Sequence, residues 1–135
     1  MYKAAIEFLA LADTIAGELP RGRACLADQL RRAATAITLN IAEGAGELAP
    51  ADKAGFYRMA RRSATECGAI LDVARTLSLS AVAPLRHGRA ILLRIVAMLT
   101  GAILKLIDSG SDSGSRSGSK DADTAAETQQ RAQTQ

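Results

Sequence analysis

The sequence predicts an all-α fold, an antiparallel up-down-up-down four-helix bundle with a disordered C-terminal tail. Ala, Leu and Ile supply most of the apolar residues, and Trp is absent, a composition that favours helices over sheets. Apolar side chains recur at helical spacing in four segments, and Gly or Pro separates each segment from the next. We therefore expect one bundle over residues 1–108 and a tail over residues 109–135.

The first two helices are predicted from the apolar period and from the residues that break it. The first is expected over residues 2–18, because Pro20 and Gly22 end it. The second is expected over residues 23–43, and Gly44 ends it. On a helical wheel, the core stripe of the second helix lies within about 60° of Leu30. The stripe consists of Leu26, Leu30, Ala33, Ala34, Ile37 and Ile41.

The third helix is predicted over residues 51–79, with Pro50 in a favourable position at its start. Its expected core stripe is Phe56, Met59, Ala60, Ser63, Cys67, Ile70, Ala74 and Leu77. The fourth helix is predicted over residues 84–107. Its leucines recur every seven residues, with two further apolar residues between them, and this heptad predicts a bundle seam. The seam consists of Leu85, Leu92, Ile95, Leu99, Ala102 and Leu106.

The fourth helix carries more apolar residues than one seam needs, among them Ile91, Val96, Met98 and Ile103. Its apolar run is long enough to resemble a membrane span. Charged side chains interrupt that run, however, and a charge at mid-membrane depth is costly. We therefore expect no membrane, and a homo-oligomer in which this helix also contacts a second subunit. Leu39, opposite the core stripe of its helix, favours the same interpretation.

The tail contains no Val, Ile, Leu, Met, Phe, Tyr or Trp between residues 109 and 135. Its Ser/Gly-rich beginning and Gln-rich end cannot bury a core, so disorder is expected. A solubilising role and a short binding peptide both remain open for it. At the other end of the chain, charges interrupt the apolar residues and no secretory pattern is visible, so we expect a cytoplasmic protein.

Catalytic and metal-binding patterns are missing from the sequence. His87 is the single histidine, and Cys25 and Cys67 are too far apart to suggest a zinc site. No phosphate-binding loop, nucleophile elbow or paired-carboxylate motif is visible. We therefore expect no enzyme, no cofactor and no metal.

Five arginines form the candidate functional surface, and the helical wheels place them on or beside the outer face of the bundle. They are Arg31 and Arg32 on the second helix and Arg58, Arg61 and Arg62 on the third. Guanidinium groups suit phosphate contacts, so the surface predicts binding to the RNA or DNA backbone. A plain solvated face is the alternative. Asn40 and Glu66 lie near core positions and predict a buried structural hydrogen-bond network.

Several short motifs give the chain a family resemblance. They are Gln29-Leu30-Arg31-Arg32-Ala33, Asn40-Ile41-Ala42-Glu43-Gly44, Phe56 and the Ser63–Glu66 pair. With these motifs the chain resembles the 23S rRNA intervening-sequence protein family, also called the four-helix bundle protein family. Two positions, Glu47 and Arg62, depart from the residues usual in the family.

The resemblance implies a bacterial four-helix bundle that assembles as a homopentamer. It also implies kinship with the accessory variability determinants of diversity-generating retroelements, non-catalytic proteins that bind a reverse transcriptase and nucleic acid through a basic surface. Two functions therefore stay open. One is a nucleic-acid-binding accessory protein, with a reverse transcriptase as a partner. The other is a protein-interaction scaffold with no nucleic-acid role.

Overall fold

The computed structural model describes residues 1–117 of the chain, and the side chains of residues 1–110. Within these residues the protein consists of four α-helices and one short 3-10 turn, and contains no strand. The helices are α1 (Tyr2–Glu18), α2 (Ala24–Gly46), α3 (Pro50–Thr76) and α4 (Val82–Ser117), and the turn is Arg21–Arg23. The all-α prediction with four helices is confirmed.

The helices pack in a ring, because α1 contacts α2 and α4, and α3 contacts the same two helices. Across the boundary of α3 and α4, Arg61 lies beside Thr100 and Asp72 beside Arg89. These two pairs are consistent with opposite chain directions along the two helices. Short connections between successive helices agree with the predicted up-down-up-down course.

The core is aliphatic and follows the predicted stripes closely in α2 and α4. In α2, Leu30, Ile37 and Ile41 are buried, and Leu26 packs partly buried against them. The α4 seam is also buried from Leu85 to Leu99, and its last members are half-buried. The α2 prediction succeeded because the apolar spacing of that helix permits only one buried face, and the α4 seam was predicted correctly because its leucines, seven residues apart, lie on one face.

The buried face of α3 differs from the prediction. Tyr57 is buried with 6% of its surface exposed, whereas Phe56 is half-buried and Met59 is 45% exposed. The cause is a close approach of α2, because a Cβ atom on Gly44 would lie 2.6 Å from the Tyr57 ring. The Tyr57 ring therefore needs a glycine opposite it. Leu77, predicted to be in the core, is also exposed, and it lies just beyond the end of α3.

The excess apolar surface of α4 lies only in part on the predicted residues. Ile91 and Ile103 belong to the core, whereas Leu93, Met98 and Leu104 are exposed. By length and composition alone, α4 could cross a membrane, and only 28% of its apolar window is buried within the bundle. Much of this apolar surface therefore has no partner among the described residues.

The fourth helix also extends further than predicted, through Ser117 instead of Ile107. Extending an existing helix needs no new nucleation, so polar residues can continue it for a few turns. The helix thus includes residues 109–117, which the sequence assigns to the tail. The remainder of the predicted tail, residues 118–135, lies outside the described residues, and its disorder stays a prediction.

Candidate functional site

Arg31 belongs to the boundary between α1 and α2 and is neutralised there. Its Nε atom donates a hydrogen bond to Asp13 Oδ1 at 2.9 Å, and both side chains keep substantial exposure. An exposed ion pair of this kind adds little stability. It does compensate the charge of Arg31, and this weakens the attraction of Arg31 for an external anion.

Arg58 and Arg61, here called the arginine pair, are both half-buried on α3. Arg61 Nη1 donates a hydrogen bond to Thr100 Oγ1 on α4 at 3.4 Å. The prediction that both arginines point outward is wrong. Burial of Tyr57 turns α3 about its axis relative to the predicted orientation, and this turn carries Arg61 toward α4, where it contacts Thr100.

The electrostatic environment of Arg58 is unfavourable for its positive charge. Burial lowers the pKa of the Arg58 guanidinium, and the positive charge of Arg61 lowers it further. Two like charges that are partly removed from water repel more strongly than they would in bulk solvent. An anion placed near the two groups would offset this repulsion.

Arg32 and Arg62 are exposed, as predicted. Neither forms an ion pair within residues 1–110. The structure thus gives the five arginines different surroundings: Arg31 is paired with Asp13, Arg32 and Arg62 are exposed, and the arginine pair is half-buried. The single patch that the wheels predict stays a prediction.

The predicted polar network of Asn40 and Glu66 is not formed. Asn40 Nδ2 donates to the carbonyl oxygen of Ala36, one turn earlier in the same helix, at 2.9 Å. Glu66 is exposed and has no ion pair in the part of the chain with described side chains. The orientation of α3 explains this correction too, because the buried stripe passes through Ala64 and Cys67 and leaves Glu66 outside.

A second group of arginines, missed by the sequence reasoning, lies where α3 ends and α4 begins. Arg75 of α3 and Arg86 and Arg89 of α4 line one pocket, here called the basic pocket. Arg89 Nη1 donates a hydrogen bond to Asp72 Oδ1 across the two helices. The three-residue spacing of Arg86 and Arg89, which puts them on one side of a helix, is the signal that could have revealed this group.

The charge distribution also favours this half of the bundle. Residues 50–108 hold nine Lys/Arg against four Asp/Glu, a formal charge of +5. Residues 1–49 hold five against six, a formal charge of −1. Positive charge is therefore concentrated on the half formed by α3 and α4.

Nucleophilic and metal chemistry have little support among the described residues. No group of His, Cys, Asp or Glu there could hold a metal ion. Burial, together with the negative charge of Glu66, raises the pKa of the Cys67 thiol to about 12. Cys67 is therefore a thiol at neutral pH and a poor nucleophile. What the described arginines can do is bind anions.

Comparison with known proteins adds the family of the chain. No curated protein matches it significantly. The family described as 23S rRNA-intervening sequence protein matches residues 1–101, which include α1, α2, α3 and the first part of α4. The match contains Gly44, whose contact with Tyr57 fixes the approach of α2 to α3. Because the match covers most of the sequence, the chain belongs to the 23S rRNA-intervening sequence protein family.

Proposed function

We propose that the protein is a non-catalytic, oligomeric accessory protein that binds the phosphate backbone of RNA or DNA. The observation that carries this proposal is the arginine pair, in which burial and mutual repulsion disfavour the positive charge of Arg58. A phosphate group near both guanidiniums would replace this repulsion with two favourable charge-assisted hydrogen bonds. The formal charge of +5 on the surrounding half of the bundle supports the same partner.

Backbone binding fits the described residues better than base recognition does. Sequence-specific binding to single-stranded RNA relies on exposed aromatic rings that stack on bases. Tyr57, the aromatic residue next to the arginine pair in sequence, is buried in the core. We therefore expect binding that depends weakly on nucleotide sequence and strongly on salt.

We also propose that the protein assembles through the outer face of α4. Leu93 is 64% exposed and Leu104 is 56% exposed. Ala97 and Gly101 lie between them on the same face, and such small residues let a second helix approach closely. The family resemblance and the sequence pattern supply the rest of the proposal: a pentamer of up-down-up-down bundles, a cytoplasmic location, and a reverse transcriptase as partner.

The test replaces Arg58 and Arg61 by Gln together and measures binding to a structured RNA by fluorescence anisotropy over a range of salt concentrations. For the wild type, log K should fall linearly with log salt. The double variant should bind more weakly, with a slope reduced by about 1, because it no longer binds the one phosphate that the two guanidiniums share. Arg21→Gln with Arg23→Gln is the matched control. These two arginines are exposed in the connection between α1 and α2, and their substitution removes the same charge.

Circular dichroism should show that both double variants stay folded. An unchanged salt slope in the Arg58/Arg61 variant would place the phosphate contacts elsewhere on the protein. Absence of RNA and DNA binding by the wild type at low salt would instead favour the protein-interaction scaffold, with the exposed leucines of α4 as its contact surface.

A further inference from the structure

The basic pocket combines several positive groups with an apolar floor. Its volume is about 100 Å³, and Arg75, Arg86 and Arg89 line it together with the buried side chains of Leu71 and Leu85. Apolar side chains beneath a charged group reduce the screening that water provides. Anions at this position therefore interact with the arginines more strongly than they would on an open surface.

The charges of the pocket are only partly compensated. Asp72 is the one carboxylate that lines it, and this carboxylate is bonded to Arg89. Arg75 and Arg86 form no ion pair within residues 1–110. Three guanidiniums against one carboxylate leave a formal charge of +2 in the pocket.

We propose that the basic pocket binds the terminal phosphate of a nucleic-acid strand. A phosphate monoester carries a charge of about −1.5 to −2 at pH 7, which matches the pocket. An internal backbone phosphate carries a single negative charge and would leave part of the pocket charge uncompensated. Guanidinium groups also present forked N–H donors that fit the several oxygens of a terminal phosphate.

The groove between α3 and α4 favours a strand end over a free phosphate ion as the ligand. The groove has a volume of about 350 Å³ and is adjacent to the pocket, since Asp72 and Arg89 line both. Its other lining residues, which include Gly68, Ala69 and Val96, carry no charge. No other carboxylate in the groove would therefore repel a strand that leaves the pocket.

The arginine pair lies further along the same side of α3. Arg75 and Arg61 are fourteen residues apart in this helix, which corresponds to about 21 Å at the helical rise. This distance equals roughly six nucleotides at the rise of one strand in a duplex. A strand held by its end would thus reach the arginine pair, and this inference rests on the proposed backbone binding there.

The test uses one RNA oligonucleotide with an internal fluorophore in three forms, with a 5′-phosphate, a 3′-phosphate or hydroxyl groups at both ends. Anisotropy titrations compare the wild type with the variant Arg75→Gln/Arg86→Gln. The wild type should bind one phosphorylated form about tenfold more tightly than the hydroxyl form. The variant should lose this preference and still bind the hydroxyl form.

Two controls separate the pocket from the proposed function. Arg21→Gln with Arg23→Gln removes the same charge and should keep the preference for a terminal phosphate. Arg58→Gln with Arg61→Gln should weaken all three forms alike. The melting temperature of the Arg75→Gln/Arg86→Gln variant should equal that of the wild type, because both side chains are exposed.

Equal wild-type affinity for the three RNA forms would overturn the inference and leave backbone binding intact. Failure to bind any RNA form would overturn both proposals. A titration with inorganic phosphate, in which NMR monitors the arginine side chains, identifies a third outcome. If inorganic phosphate shifts the Arg75 and Arg86 signals while RNA ends have no effect, the pocket takes a free ion and the strand-end assignment is wrong.

Discussion

Replacing Gly44 by Ala gives a direct test of the packing that orients α3. The added Cβ atom would lie 2.6 and 2.7 Å from two carbons of the Tyr57 ring. Overpacking of a buried site costs about 1–3 kcal/mol. Alanine favours a helix interior over glycine by about 1 kcal/mol, which offsets part of this cost. We expect a net loss of stability of about 1 kcal/mol, or a melting temperature lower by about 4 °C.

The matched control is Gly55→Ala, because nothing lies within 4 Å of a Cβ atom at Gly55 in α3. This variant should gain about 0.5–1 kcal/mol, since it has the helix preference without the collision. The difference between the two variants therefore isolates the collision with the Tyr57 ring. Urea unfolding followed by circular dichroism, at one fixed protein concentration, measures it.

Repeating Gly44→Ala in a Tyr57→Ala variant tests whether the Tyr57 ring causes the loss of stability. Tyr57→Ala removes the ring carbons that the new Cβ atom would meet, so Gly44→Ala should cost much less in that background. Coupling energies between contacting residues commonly exceed about 0.5 kcal/mol. If Gly44→Ala is as stable as Gly55→Ala, the close approach of α2 to α3 does not orient Tyr57, and our account of the rotated α3 face is refuted.

Two further predictions concern assembly and thiol chemistry. Leu93→Glu and Leu104→Glu should each dissociate the oligomer without unfolding the subunit, because both side chains are exposed on α4; light scattering measures the change. At pH 8 an alkylating reagent should modify Cys25 and leave Cys67 unmodified, because the pKa of Cys67 is raised from 9.0 to about 12, and mass spectrometry reports the sites. The buried thiol also stabilises the fold below about pH 9, and this contribution decreases as the pH rises toward 12, because the unfolded chain releases the proton first.

Each of these predictions has a control or a contradicting result. Leu48 is 96% exposed in the connection between α2 and α3, and Leu48→Glu should leave the assembly unchanged. A wild type that stays monomeric at tens of micromolar would contradict the assembly proposal. Equal modification of the two cysteines in the native protein would show that the core around Cys67 opens readily.

The fold could be predicted from the sequence more accurately than the directions of individual side chains. In α2, Leu30, Ile37 and Ile41 recur at a spacing that only one helix face can accommodate, so their burial was predictable. In α3, two aromatic residues are adjacent, and a helical wheel cannot decide whether Phe56 or Tyr57 is buried. The decision depends on the approach of another helix at Gly44, which is a tertiary contact.

The errors in the candidate site follow from that one tertiary contact. Once α3 is oriented by Tyr57, Arg61 borders α4 and Glu66 faces solvent. The basic pocket was missed for a related reason. Arg75 and Arg86 belong to different helices, and only the turn between α3 and α4 brings them together. Such groupings become visible when the packing of the helices is known.

The unequal charge of the two halves has a consequence for the symmetry of any assembly. A two-fold contact through α4 would place two halves of formal charge +5 against each other, and like charges at an interface oppose association. A head-to-tail contact joins this half to the half of charge −1 on the next copy, which removes that repulsion. Repetition of one head-to-tail contact produces a closed ring when the rotation closes. The electrostatics of a single subunit thus favour a head-to-tail ring over a two-fold dimer.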